Sequence, residues 1–226
     1  MVDSIAAFKP DVLRPLPNAG GPQHIRHREL LHSLTDQTET LQRRVDQLLE
    51  ISRMEAGRLR LGLEEINVRH FAGELRRAFE PAARLRKLTL VVDVHNNVPP
   101  FLIADPDVLR TDVISNLIGN ALKFTPPGGE IRVVIRPDGD RVSFEVADTG
   151  CGIPQDQLDH IFEKYYQGRG STGGAGLGLA IAKAGAEAHG GRIDVTSRVG
   201  RGTRCRVSLP LRAVSTPIPH ARAGVG

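Results

Sequence analysis

Apolar positions recur along this chain with two different periods. From Gln23 to Ala56 there is neither Gly nor Pro, and Leu34, Leu41 and Leu48 fall seven residues apart. Leu31 and Val45 lie on the companion seam, which Thr38 interrupts. This heptad spacing predicts one long helix over 23–57, closed by Gly57, with an apolar seam suited to a helical bundle. Residues 1–22 carry Pro10, Pro15, Pro17, Gly20, Gly21 and Pro22, so no long helix crosses them, and they read as an irregular segment.

After Gly57 the period shortens. Residues 58–68 predict a loop and a short strand, 70–86 a helix, 87–94 an alternating strand broken by Pro99-Pro100, and 101–105 another short strand. Asp105 reads as an N-cap, with Pro106 as the first residue of a helix running to about Phe124. Pro126-Pro127-Gly128-Gly129 stops it. Residues 130–136 and 141–148 are strands joined through Pro-Asp-Gly-Asp, a hairpin signal. Residues 149–176 are Gly-rich loop with a short helix near 155–162, and 177–189 form an apolar helix. Residues 191–197 and 203–210 form a second hairpin, and 213–226 read as a disordered tail. Strands beside strands with helices between predict an α+β domain over 58–212: one mixed sheet with helices on one face.

Composition narrows the class. With 25% charged and 40% hydrophobic residues, the 226-residue chain has the balance of a soluble globular protein. Its formal charge of +4 is carried mostly by scattered arginines and predicts no nucleic-acid partner. No apolar run approaches the roughly 18 residues of a membrane helix, and the N-terminus lacks a signal-peptide shape. Two cysteines, Cys151 and Cys205, predict reduced thiols. Together these place the chain in the cytoplasm, or in the cytoplasmic part of a longer protein.

Four blocks carry candidate chemistry. On the helix over 112–124, Asn116 and Asn120 share one face, Lys123 follows within a turn, and Val113, Ile114, Leu117, Ile118 and Leu122 cover the other side. Amide oxygens suit Mg²⁺ and an ammonium suits phosphate. The same amides could equally bridge backbone groups, and the residues alone leave both readings open. Asp148-Thr149-Gly150-Cys151-Gly152 ends a strand. Its glycines allow a sharp turn, and its carboxylate could accept from an exocyclic amine or simply close the turn. Gly173-Gly174-Ala175-Gly176-Leu177-Gly178 opens an apolar helix, an arrangement that exposes amide donors to phosphate. No βαβ unit surrounds it, which excludes a dinucleotide fingerprint, and no Gly-Lys-Ser/Thr follows, which excludes a Walker loop. Gly200-Arg201-Gly202-Thr203 is a tight turn from which Thr203 could reach a nucleotide.

In this order the four blocks resemble the N, G1, G2 and G3 boxes of the ATP-binding domain of sensor histidine kinases. Ile161-Phe162-Glu163-Lys164-Tyr165-Tyr166 resembles the F box between them. Residues 48–59, LLEISRMEAGRL, resemble the end of the second helix of the dimerisation and phosphoacceptor hairpin. The likeness runs over roughly residues 40–210. It implies a Bergerat-type (histidine-kinase-like ATPase) α/β sandwich preceded by a long helix, with ATP and Mg²⁺ as cofactors. By the resemblance, Asn120 would ligate the metal with Asn116 assisting, Lys123 would meet the phosphates, and Asp148 would hold the adenine amine. Gly150 and Gly152 would let the base approach, and Thr203 would reach the nucleotide. Gly174, Gly176 and Gly178, with Leu177 among them, would hinge a mobile ATP lid. The family often carries Arg where this chain has Lys164, so Arg169 of the lid would share the γ-phosphate role.

The same fold serves gyrase, mismatch-repair and chaperone ATPases, in which a Glu four residues before the metal-binding Asn activates water. Asn116 occupies that position here, and a carboxamide has no usable pKa for general-base work. The site therefore suits a phosphoryl donor awaiting another nucleophile, a task that needs mainly positioning and charge neutralisation.

The stretch HIRHRELLH (24–32) supplies no acceptor in the family pattern. His27 is followed by Arg28 rather than an acid, and position 32 is His rather than Pro. His27 also shares one predicted helix with Met54, about 40 Å away at 1.5 Å per residue. The expectation is therefore a kinase module acting on a histidine of a missing upstream segment or a partner chain, for relay to a response regulator. A homodimer through the 23–57 helix is part of that expectation. The alternative, from a different class, is a non-catalytic nucleotide-binding regulatory or scaffold module.

Overall fold

The computed structural model describes residues 61–168 and 175–212. The expectations for 1–22, for the 23–57 helix and for the 213–226 tail lie outside these residues, as do Arg169 and Gly174.

The described elements follow the hydrophobic pattern closely. They are β1 (Glu64–Asn67), α1 (Val68–Leu85), β2 (Thr89–Val94), β3 (Phe101–Ala104), a π-helical segment (Val108–Ile114), α2 (Ser115–Phe124), β4 (Glu130–Asp138), β5 (Arg141–Asp148), α3 (Gln155–Leu158), α4 (Gly178–Ala188), β6 (Arg192–Arg198) and β7 (Gly202–Pro210). Five strands form one mixed sheet in the order β2-β4-β5-β7-β6, in which only β2 and β4 run parallel.

Three details depart from the sequence reading. First, β1 and β3 do not join the main sheet but pair antiparallel as a separate two-stranded ribbon. The adjacent prolines 99 and 100 supply no amide donor to carry a ladder onward from β2. Second, the helix opened by Asp105 is not α-helical throughout. The Asp105 carboxylate does cap it, accepting from the Asp107 and Val108 amides at 3.0 Å each. The chain then winds as a π-helix over Val108–Ile114, and the Ser115 hydroxyl closes that wider turn by donating to the Arg110 carbonyl at 2.7 Å. Third, the short helix near 155–162 is regular only over Gln155–Leu158.

Strand alternation gives the sheet two unlike faces. Ile131, Val133, Ile135, Val142, Phe144, Val146, Val207 and Leu209 are buried on the face that meets the helices. The rings of Phe71 on α1 and Phe144 on β5 meet edge-on at 6.1 Å. The opposite face is polar. At its centre Glu145, 3% exposed, receives Arg206 at 2.9 Å and Arg136 and Arg204 at 3.3 Å.

A buried histidine ties the helical layer together. Because a carbonyl can only accept, His189 Nδ1 carries the proton that it donates to the Gly185 carbonyl at 2.7 Å. Its Nε2 then accepts from the Asp105 amide at 3.0 Å. The end of α4 is thereby fixed to the start of the helix that bears Asn116 and Asn120.

Candidate functional site

The apolar face of the sheet turns polar at one end. On β5 the inward row Val142, Phe144 and Val146 ends in Asp148, and on β6 the row Ile193 and Val195 ends in Ser197. Thr203, opposite Ser197 in register, begins the inward row of β7. The three polar groups thus gather where the strands leave the core.

Asp148 is held by backbone. Its Oδ1 accepts from the Gly150 amide at 2.8 Å and the Thr203 amide at 3.2 Å. Burial raises its pKa above the ordinary carboxylate value, and the bonds from Gly150 and Thr203 partly oppose that rise. Cys205, on the inward row beyond Thr203, has its thiol pushed up to about 12, first by burial and then by the Asp148 charge. It is therefore an inert core residue.

The loop after Asp148 is stitched on three sides. Thr149 anchors it to the start of β4, its Oγ1 accepting from the Glu130 amide at 2.9 Å. The Cys151 amide donates to the Phe124 carbonyl at 3.3 Å, and the Cys151 carbonyl accepts from Gly200 at 2.8 Å. The two glycines make these approaches possible. A methyl group on Gly150 would sit 2.6 Å from the Phe124 carbonyl oxygen. Gly152, at φ +71°, has the Arg198 carbonyl where a Cβ would stand. Their missing side chains make room for this chain's own backbone, a packing reason that the sequence did not reveal.

The helix α2 supplies the amides. Asn116 Nδ2 donates to the Asp112 carbonyl at 2.6 Å, which turns its Oδ1 toward Gly178 at the start of α4. Asn120, half-buried, lies one turn further along the same face. Lys123 follows, its ammonium 4.7 Å from the centre of the Phe124 ring.

Between α3 and α4, Lys164 and Tyr165 stand exposed in a turn. Tyr165 adopts φ 64°, an uncommon conformation for a residue with a side chain. Its amide donates to the Gly176 carbonyl at 2.9 Å, and Gly176, at φ +69°, packs against the Tyr165 and Tyr166 backbone. Leu177, 1% exposed, packs on Ile181 and roots the segment before α4. The structure thus brings Asn116 and Gly178 together at one helix junction, and Asp148 and Thr203 together at the sheet end. The sequence reading did not single out Ser197. Its signal is a polar residue at an inward position of an otherwise apolar strand row.

A mixed five-stranded sheet with helices over one face, a backbone-held carboxylate at its end and an amide-bearing helix beside it define an α+β sandwich domain of the ATPase type. Residues 104–213 match the family model described as histidine kinase-, DNA gyrase B- and HSP90-like ATPase. The chain belongs to this family, in the form of the catalytic domain found in sensor histidine kinases.

It is 35% identical over 205 residues to the circadian input-output histidine kinase CikA of Synechococcus elongatus, covering 88% of this chain and 27% of that protein. It is 34% identical over 203 residues to the sensor protein TorS of Escherichia coli, covering 89% of this chain and 22% of that one. The structure of full-length ShkA in complex with AMPPNP superposes with a TM-score of 0.73 at 30% identity, covering 84% of this chain and 40% of ShkA. The chain thus spans about a quarter of the length of these two curated relatives. No helix among the described residues is long and apolar enough to cross a membrane.

Proposed function

We propose that this chain is the ATP-binding catalytic core of a two-component sensor histidine kinase. It would transfer the γ-phosphoryl group of ATP to a histidine supplied upstream or by a partner chain, for relay to a response-regulator aspartate. The observation that carries the reading is the pairing of a backbone-oriented Asp148 with a helix that presents Asn116 where hydrolytic relatives need a carboxylate.

In this reading Asp148 receives the adenine amine on the carboxylate lone pairs left free by the Gly150 and Thr203 amides. Gly150 and Gly152 let the loop lie close enough to shape the base site, and Thr203 borders it. Lys123 meets the phosphates. Gly174, Gly176 and Gly178 hinge the lid, with Leu177 as its buried root. Lys164 and Arg169 approach the γ-phosphate, where each cation stabilises charge that spreads over the transferring group.

The donor set fits Mg²⁺. Two amide oxygens on one helix face leave the remaining positions to phosphate oxygens and water, the usual arrangement for this ion. No cluster of three or more His, Cys, Asp or Glu side chains suited to another metal occurs among the described residues. Asn120 would hold the ion with Asn116 assisting, and the ion when bound neutralises phosphate charge. Asn116 cannot take a proton from water, so ATP persists until an imidazole arrives. That imidazole nitrogen would attack the γ-phosphorus in line as the bond to the β,γ-bridging oxygen breaks.

Incubation of the chain with γ-labelled ATP and Mg²⁺, alone and with a separate acceptor-helix fragment, tests the reading. Label on the fragment supports it. Label on this chain alone removes the expectation of an external acceptor, and nucleotide binding without label on either favours a non-catalytic regulatory module.

A further inference from the structure

Ser197 joins three segments through one hydroxyl. Its Oγ accepts from the Ile153 amide at 2.8 Å, donates to the Gly202 carbonyl at 2.9 Å and lies 2.9 Å from Thr203 Oγ1. A serine hydroxyl has a single hydrogen. Because the Gly202 carbonyl can only accept, that hydrogen is committed to it. The contact with Thr203 must then use the Thr203 hydrogen, donated to Ser197.

The side of Thr203 Oγ1 away from Ser197 therefore presents lone pairs alone. Beside it stands Asp148, whose Oδ1 receives the Thr203 amide. An ionised carboxylate is also acceptor-only. The end of the sheet consequently offers two adjacent acceptors, and the polarity of one is set by a residue on a different strand.

We propose that Ser197 is a specificity-determining positioning residue: by holding the Thr203 hydroxyl as an acceptor beside Asp148, it selects a purine with a 6-amino group over one with a 6-oxo group. The inference rests on the adenine-nucleotide reading above. An oxo oxygen facing two acceptors would be repelled and left without a donor, whereas an amine satisfies both.

The test measures dissociation constants for ATP and for inosine 5′-triphosphate, both with Mg²⁺, on the whole chain. Ser197→Ala releases the Thr203 hydroxyl to rotate and donate. The preference for ATP should then fall about tenfold, the scale of one hydrogen bond gained or lost. Ser197→Cys keeps the side chain's size but bonds weakly, so it should show the same fall if the alanine variant folds poorly. Ser197→Thr keeps the hydroxyl and should retain the preference. In a Thr203→Val background, Ser197→Ala should leave the ratio unmoved. Equal weakening of both nucleotides, or the same change of ratio without the Thr203 hydroxyl, would overturn the proposal. An unaltered ratio in folded Ser197→Ala and Ser197→Cys removes this inference alone. A folded wild-type chain that binds neither nucleotide removes the adenine reading and this inference with it.

Discussion

Gly178, the first residue of α4, stands directly against the carboxamide of Asn116. A methyl group at position 178 would lie 2.7 Å from Asn116 Oδ1, closer than real contacts allow. The start of α4 and the amide-bearing helix are thus in contact, and only one side of that contact can give way. The Asn116 side chain can turn, while the backbone at Gly178 starts a helix.

Gly178→Ala should therefore separate stability from activity. Alanine favours the helix by up to about 1 kcal/mol, which offsets the cost of displacing one side chain. Thermal denaturation should change little. Phosphotransfer from ATP should fall between about tenfold and a hundredfold, because Asn116 leaves its position. A large loss of stability with normal transfer in the surviving fraction would contradict this.

Gly202 makes the opposite case. It combines φ +89° with direct packing against the Asp148 carbonyl, so a side chain meets both backbone strain and a rigid obstacle. Gly202→Ala should cost about 1–3 kcal/mol in chemical denaturation. It should also weaken nucleotide binding, since Thr203 and Asp148 would be forced apart.

Glu145 offers a control on the far face of the sheet. Its carboxylate serves three guanidinium groups, each of which is also partly exposed. Glu145→Gln leaves those cations facing one another, and solvent screens much of their repulsion. The expected loss is about 1–3 kcal/mol of stability, with nucleotide affinity unchanged. Altered affinity would mean that the two faces of the sheet are coupled.

His189 makes stability depend on pH. Burial lowers its pKa below the ordinary imidazole value, although the Gly185 carbonyl and the Asp105 charge oppose the shift. The unfolded chain therefore takes up the proton first as the medium acidifies. The contribution is complete above the unfolded value of 6.5 and is lost as pH falls through the lower folded value. Denaturant midpoints measured from pH 7.5 downward should fall in the wild type, and less in His189→Gln. Parallel pH profiles for the two would assign the acid sensitivity to other groups.

Much of the domain was legible because its signals are local. Asp105 before Pro106, the Gly139 hairpin and the apolar alternation of β5 each depend on a few neighbouring residues. The separate β1–β3 ribbon was not legible, since pairing between distant strands depends on which sheet edge stays open. The π-helical winding of 108–114 was also hidden, because the sequence shows only that the segment is helical. At the site, the two asparagines and Asp148 stood out by chemistry. Ser197 did not, because its role arises from three partners that meet only when the β6–β7 turn folds onto the loop after Asp148. The glycines at 150 and 152 read as allowing a sharp turn and a close ligand, and the structure puts the Phe124 and Arg198 carbonyls in their side-chain space.

The central claim is that Asp148 and the Asn120 helix form one ATP·Mg²⁺ site. Calorimetric titration of ATP with Mg²⁺ into the wild-type chain, Asp148→Asn and Asn120→Ala tests it most directly. The wild type should bind, and each variant, folded by circular dichroism, should bind roughly tenfold or more weakly, the scale of a lost charge-assisted bond. Binding by folded Asp148→Asn as tight as that of the wild type would contradict the account.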